Sequence, residues 1–234
     1  MATPSLSHQE RIDAGLGFLW DTLPERSNTA ADILPDAQDV VMYRIKQSHQ
    51  GIGGHRHIRR LWAHAVNQAF LEEIAQLDAL ETLYMTRVSA SDLTPLRNLS
   101  RLQSLSVIDA TKVADLSWLP ETPTLRSLAM ENLKQVTDID ALASLTQLKA
   151  LAVEGSMWTA MRVTSLAPLG ALTQLQYLFL TNLRVADKSL AALQNLAGLR
   201  ALQCANFYPA AEFTALAEAR PQLRCDWFAR TSVS

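Results

Sequence analysis

Down most of the chain, apolar residues recur in the order apolar-x-x-apolar-x-apolar. The pattern takes in Ile58, Leu61 and Ala63, then Leu80, Leu83 and Met85, then Leu102, Leu105 and Val107. It continues through Leu125, Leu128 and Met130, Leu148, Leu151 and Val153, Leu175, Leu178 and Leu180, and Leu199, Leu202 and Cys204. Successive first positions lie 22, 22, 23, 23, 27 and 24 residues apart. A degenerate last copy starts at Leu223, with Cys225 and Trp227 alternating after it. A period of this length marks a stack of equivalent units, each a single supersecondary element.

Each unit has two halves. The apolar-x-apolar half alternates with period two and predicts a short strand with its leucines turned inward. The second half, as in DLTPLRNL at 92–99, DIDALASL at 138–145 and SLAPLGAL at 165–172, places leucines every three residues, which suits a 3₁₀ turn. Asp92, Asp115, Asp138, Ser165 and Ser189 stand where a capping side chain belongs. Neither half buries its apolar face alone, so stacked units must share one core and one parallel sheet. The expected class is α/β: a curved solenoid with a parallel sheet on the concave side and 3₁₀ turns or short helices on the convex side. Residues 67–77 read as a true helix, with Phe70, Leu71, Ile74 and Leu77 on one face.

A stack exposes its core at both ends and needs caps. Residues 1–57 are assigned to an N-terminal cap, 58–228 to about seven repeats with a C-terminal cap, and 229–234 to a tail. In the N-terminal cap, Ser7 and Glu10 form a capping box, and Ile12, Leu16 and Leu19 predict a helix over about 7–20, weakened by Gly15 and Gly17. A polar loop over 21–39 precedes VVMYRI at 40–45, a strand expected to pair with the first repeat. Phe213 and Leu216 suggest a last helix, with Trp227 and Phe228 shielding the final leucines.

The phrases LTQLQYLFLTNLRVAD and LSRLQSLSVIDATKVADLSWL resemble the leucine-rich-repeat family, in its short-period class as in internalins. The resemblance covers about 58–228 and implies a solenoid that binds a protein. The family's asparagine ladder is irregular here: the slot holds Arg87, Asp109, Asn132, Gly155, Asn182 and Asn206. Satisfaction of the backbone at that turn is therefore expected to vary between repeats.

Composition narrows the function. The 234 residues are 48% hydrophobic and carry a net charge of −2, which asks for neither nucleic acid nor an anionic membrane as partner. The N-terminal stretch has no basic segment followed by an apolar one, and no run reaches the roughly 18–20 apolar residues of a membrane span. Cys204 and Cys225 make no metal spacing and no disulfide framework, so a reducing, cytoplasmic setting and a monomer are expected. His49, His55, His57 and His64 gather beside GIGG at 51–54, but match no metal signature and no phosphate-loop spacing. No catalytic residue, metal or cofactor is assigned.

Side chains between the strand leucines point into the concavity. Arg60, Trp62 and His64 are expected at one end, Tyr84 and Ile108 next, then Glu131 and Glu154, then Tyr177 and Phe179. Small residues lie between the aromatic ends, leaving room for a helix or loop. The 27-residue step adds an insertion around 156–162 that carries Trp158, and such insertions often lie on the binding face. These ten residues are the candidate partner-binding set, because exposed Trp, Tyr and Arg dominate interface energetics. The alternative for the aromatics is packing against one another or against the cap. Three functions compete: a non-catalytic protein-interaction module; an immunity or inhibitor protein, or a delivered effector, using the same surface; and a metal-dependent enzyme using the histidine loop at 49–64.

Overall fold

A computed structural model describes residues 7–228; the tail assigned to 229–234 lies outside the described residues. The strand half of each repeat forms the predicted parallel sheet. Its strands are β1 (Arg26–Ser27), β2 (Asp39–Tyr43), β3 (Arg60–His64), β4 (Thr82–Thr86), β5 (Ser104–Ile108), β6 (Ser127–Glu131), β7 (Ala150–Glu154), β9 (Tyr177–Leu180) and β11 (Ala201–Cys204), paired in that order. The register advances one repeat at a time, so Leu61, Leu83, Leu105, Leu128, Leu151, Leu178 and Leu202 stand side by side. All seven are buried in one core that runs the length of the stack.

The extra residues of the 27-residue step form β8 (Met161–Val163), which pairs in parallel with β10 (Leu183–Val185) of the next repeat. The period-three halves are 3₁₀ turns, among them Thr94–Asn98, Asp140–Ser144, Ala167–Ala171 and Ala191–Asn195. Each is entered through a side-chain cap two residues upstream. Asp92 and Asp138 accept from the amides of Thr94 and Asp140, and Ser165 and Ser189 from those of Ala167 and Ala191. These are Asx turns at the aspartates and ST turns at the serines, not helical N-caps, because each side chain accepts from the amide two residues on.

The sheet begins earlier than the repeats. VVMYRI enters it as β2, in register with β3, and the expected loop at 21–39 contains the short strand β1. Helix α2 (Gln68–Ile74) takes the place of a 3₁₀ turn in the first repeat, capped by Asn67 through the Phe70 amide. At the far end α3 (Ala210–Ala219) buries Phe213 and Leu216, and the Trp227 indole donates to the Cys204 carbonyl at 2.7 Å.

The N-terminal helix is shorter than its sequence spacing suggests. α1 covers only His8–Asp13, closed by the Ser7–Glu10 capping box, and it buries none of its residues. Gly15 ends it at φ +75°, and a Cβ there would stand 2.7 Å from the Ser127 hydroxyl. Glycine at this point meets both a backbone need and a close approach.

The turn after each strand explains the irregular asparagine slot. Ala65, Arg87, Asp109, Asn132 and Asn182 all adopt left-handed backbone, with φ between 49° and 61°. The amides of Ala65, Asp109, Asn132 and Gly155 donate to carbonyls of Thr86, Glu131, Glu154 and Thr181 in the following repeat, at 2.9–3.0 Å. At these four turns the backbone itself carries the ladder, so the side chain there is free to vary, while among the described residues the amides of Arg87 and Asn182 make no such bond. Two asparagines still add bonds, Asn132 to Asp109 and Asn182 to the Ser156 carbonyl.

Two predictions follow from this geometry. Left-handed backbone costs alanine roughly 1 kcal/mol more than it costs Gly, or Asn with its locally hydrogen-bonding side chain. Ala65→Asn is therefore expected to raise the melting temperature by about 3 °C in a thermal scan. Leu151 is fully buried at the centre of the core. Leu151→Ala should cost about 3 kcal/mol and lower the melt by about 10 °C.

Candidate functional site

The concave wall is built from residues that alternate with the inward leucines. Trp62, Tyr84, Ser106, Ala129, Ala152 and Phe179 stand in one row, because each pairs with the next across the register. Ser104, Ser127 and Ala150 stand in the neighbouring row. The middle of both rows is small, as the sequence suggests.

That space is filled by the chain's own N-terminal segment. The Ser127 hydroxyl donates to the Ala14 carbonyl at 2.6 Å, and the Ser104 hydroxyl to the Gly15 carbonyl at 2.7 Å. Leu16, 2% exposed, drops onto Ala129, Ala150, Ala152 and Phe179, a small apolar cluster separate from the main core. Phe18 wedges edge-on between Trp62 and Tyr84, with ring centroids 4.5 and 4.6 Å away. Arg11 lies over the Phe179 ring at 4.9 Å and forks onto the Glu154 carboxylate, with one bond of 3.1 Å. Glu10 pairs with Arg224 at the C-terminal end of the sheet. Residues 10–18 thus strap the concavity from side to side.

The charges under the strap are unequal. Glu131 and Glu154 are register partners on β6 and β7, and one guanidinium serves them. Burial opposes the charge on Arg11, but the Glu154 carboxylate outweighs it and raises the Arg11 pKa. Burial, then repulsion from Glu154 and Asp109, pushes the Glu131 carboxyl above its ordinary value.

No protein-family model and no curated protein matches the sequence. Among solved structures, the fold is similar to internalin C2 of Listeria monocytogenes, 25% identical over 65% of this chain and 64% of that one, with a TM-score of 0.54. It is also similar to an internalin, InlF, of the same organism, 21% identical over 78% of this chain and 58% of that one, with a TM-score of 0.56. The chain therefore spans less than two thirds of either structure. The fold is a leucine-rich-repeat solenoid of the internalin-like class.

The solenoid distributes the ten candidate residues unevenly. Phe179 and Glu154 are buried beneath Leu16 and Arg11. Trp62 and Tyr84 are packed against Phe18, and Tyr177 borders the Leu16 cluster. Arg60 is exposed but paired with Asp39, its register partner. His64 stacks on Tyr43 at 4.5 Å and meets the Thr86 hydroxyl at 2.6 Å. Ile108 and Glu131 line an open groove of about 590 Å³ between the strap and the 156–162 insertion, together with His8, Thr181 and Met157. Met157 is 84% exposed, and its neighbour Trp158 on the same turn is 88% exposed.

Sequence reasoning singled out the wall and offered packing against the cap as the alternative for its aromatics, which is what Phe18 and Leu16 provide, but did not place the segment across the small middle. Arg11, Ala14 and Phe18 belong to the site and carried no repeat signal. The available hint was AGLGF at 14–18: a glycine pair that stops the helix beside a wall whose middle is small.

The remaining chemistry is accounted for elsewhere. His49 is buried against Phe70, and burial, with Arg44 nearby, lowers its pKa. Among the described residues no three His, Cys, Asp or Glu side chains converge as metal ligands. The GIGG turn does bind an anion, but an internal one: the amides of Gly51 and Gly53 donate to the Glu73 carboxylate at 3.3 and 3.0 Å. Cys204 and Cys225 are buried thiols, and hydrogen bonding between them with burial drives the Cys204 pKa far up. Among the described residues no helix is long and apolar enough to cross a membrane.

Glu131 yields a signed pH prediction. A raised folded-state pKa means that ionisation costs the folded state. Its contribution is fully present below the ordinary carboxylate pKa and is lost as pH climbs through the elevated value. Glu131→Gln should therefore melt higher than the parent at pH 7.5 and equally at pH 4. A lower melt at pH 7.5 would show instead that Glu131 serves as a partner of Arg11.

Proposed function

We propose that this solenoid is a non-catalytic protein-interaction module, whose contact surface is the 156–162 turn and the groove beside it. The observation that carries the reading is the pair Met157 and Trp158, almost fully exposed on a turn that is itself firmly pinned. The Ser156 amide donates to the Thr159 carbonyl at 2.8 Å, the Ser156 hydroxyl accepts from the Thr159 amide at 3.0 Å, and Asn182 holds the Ser156 carbonyl at 2.8 Å. Gly155 below them has no room for a side chain, since a Cβ would lie 2.5 Å from two carbonyl oxygens. Two large apolar side chains are displayed on a turn whose backbone has little freedom left to lose on docking, so that part of the ordering cost is met in advance.

The fold supports the same reading, because a repeat stack offers an extended surface built from many equivalent positions. Ile108 and Glu131 supply the groove floor next to the turn, and Trp62, Tyr84, Tyr177 and Phe179 join the surface only when the strap moves. The module is assigned a reducing, cytoplasmic setting, in which Cys204 and Cys225 stay thiols, and acts as a monomer with residues 1–57 as its cap.

Affinity capture from native lysate with the full chain tests this directly. Met157→Ser with Trp158→Ser should lose the specifically captured protein while the melt stays within about 2 °C of the parent, as expected for exposed positions. Retention of the same protein by the double variant would sink the reading.

A further inference from the structure

The strap has the character of a bound ligand more than that of a structural element. Its Leu16 cluster is separate from the main core, which closes behind the sheet without it. Its helix α1 buries nothing. The wall reads its backbone through two serine hydroxyls and its side chains at three points, Arg11 at Glu154, Leu16 at the alanines, and Phe18 between Trp62 and Tyr84. Openings of about 280 and 590 Å³ flank it, so the concavity is larger than its occupant.

We propose that the concave face is a segment-binding groove, that residues 10–18 are its built-in competitor, and that the partner enters by presenting the same chemistry. That chemistry is an arginine followed, five and seven positions on, by a leucine and an aromatic, with glycine or alanine beside the leucine. The inference rests on the interaction-module reading and names both the partner and the control of its access.

The charge balance says why an outside segment can win. Glu131 and Glu154 stand together and the strap brings them one guanidinium. A partner carrying a second cation near the arginine satisfies both carboxylates, which the strap of a second copy does not. Tethering sets the threshold. A segment joined by a short linker competes at an effective concentration of about 1 mM. If the intrinsic dissociation constant is about 10 µM, the tether weakens an outside peptide about 100-fold.

The probe is a fluorescent peptide with the sequence of residues 8–19, titrated into the full-length protein and read by anisotropy. Leu16→Asp with Phe18→Ser should loosen the strap and bind the peptide about 100-fold more tightly than the parent does. Adding Glu154→Lys to that variant should abolish the gain. Equal weak binding by parent and loosened protein overturns the proposal, as does binding that survives Glu154→Lys. A loosened protein that dimerises and ignores the peptide assigns the groove to a second copy and also overturns it. Hydrogen exchange on the unaltered protein keeps the idea testable if the variant fails to fold. The Gly15 and Leu16 amides, which bond only within the strap, should exchange at least about 100-fold faster than those of β6 and β7. Equal protection would make the strap part of the cooperative core. Peptide binding failing while Met157 and Trp158 remain necessary for capture would remove the groove and leave the module standing.

Discussion

Everything in this molecule depends on a constraint of burial: a strand of five residues and a turn of five cannot hide their leucines alone. Each repeat becomes stable only when its neighbours cover both faces, so the chain advances in a stack and every strand meets the next in parallel. The backbone follows the same rule. The residue after the strand turns left-handed and gives its amide to the next repeat, whether it is Ala65, Asp109 or Asn132. Where that bond is made by the main chain, as at these turns, the side chain can change without leaving the amide unpaired.

Stacking leaves one face with no obligation to the core. The outward positions of the strands are free to specialise, and here they do so with aromatics at the ends and serine and alanine in the middle. Such a trough, lined by carboxylates and hydroxyls, takes a segment of chain, and this protein fills it with its own residues 10–18. The same contacts that make the segment fit, an arginine on Glu154 and a leucine in a bed of alanines, define what else would fit. Met157 and Trp158 stand outside that packing and are displayed on the surface with the segment in place.

Position along the chain decided what sequence alone made legible. Periodic features are repeated evidence, so the strands, the 3₁₀ turns, the side-chain caps at Asp92, Asp138, Ser165 and Ser189, and the insertion at 156–162 were all readable from spacing. The internalin-like class was readable for the same reason. Non-periodic features were not: β1 is two residues long, and α1 stops at Asp13 because Gly15 turns under Ser127, a contact between positions far apart in the chain.

The sequence by itself determined which side chains line the concave wall, because strand alternation leaves them no other direction. Only the tertiary structure decided whether that wall is open. Trp62, Tyr84, Glu154 and Phe179 face the concavity as their spacing requires, yet all four are covered, since the segment that covers them comes from outside the repeats and is recognised by shape and charge rather than by period. Local pattern sets the direction of a side chain; its exposure is set by whatever else the chain brings to the same place.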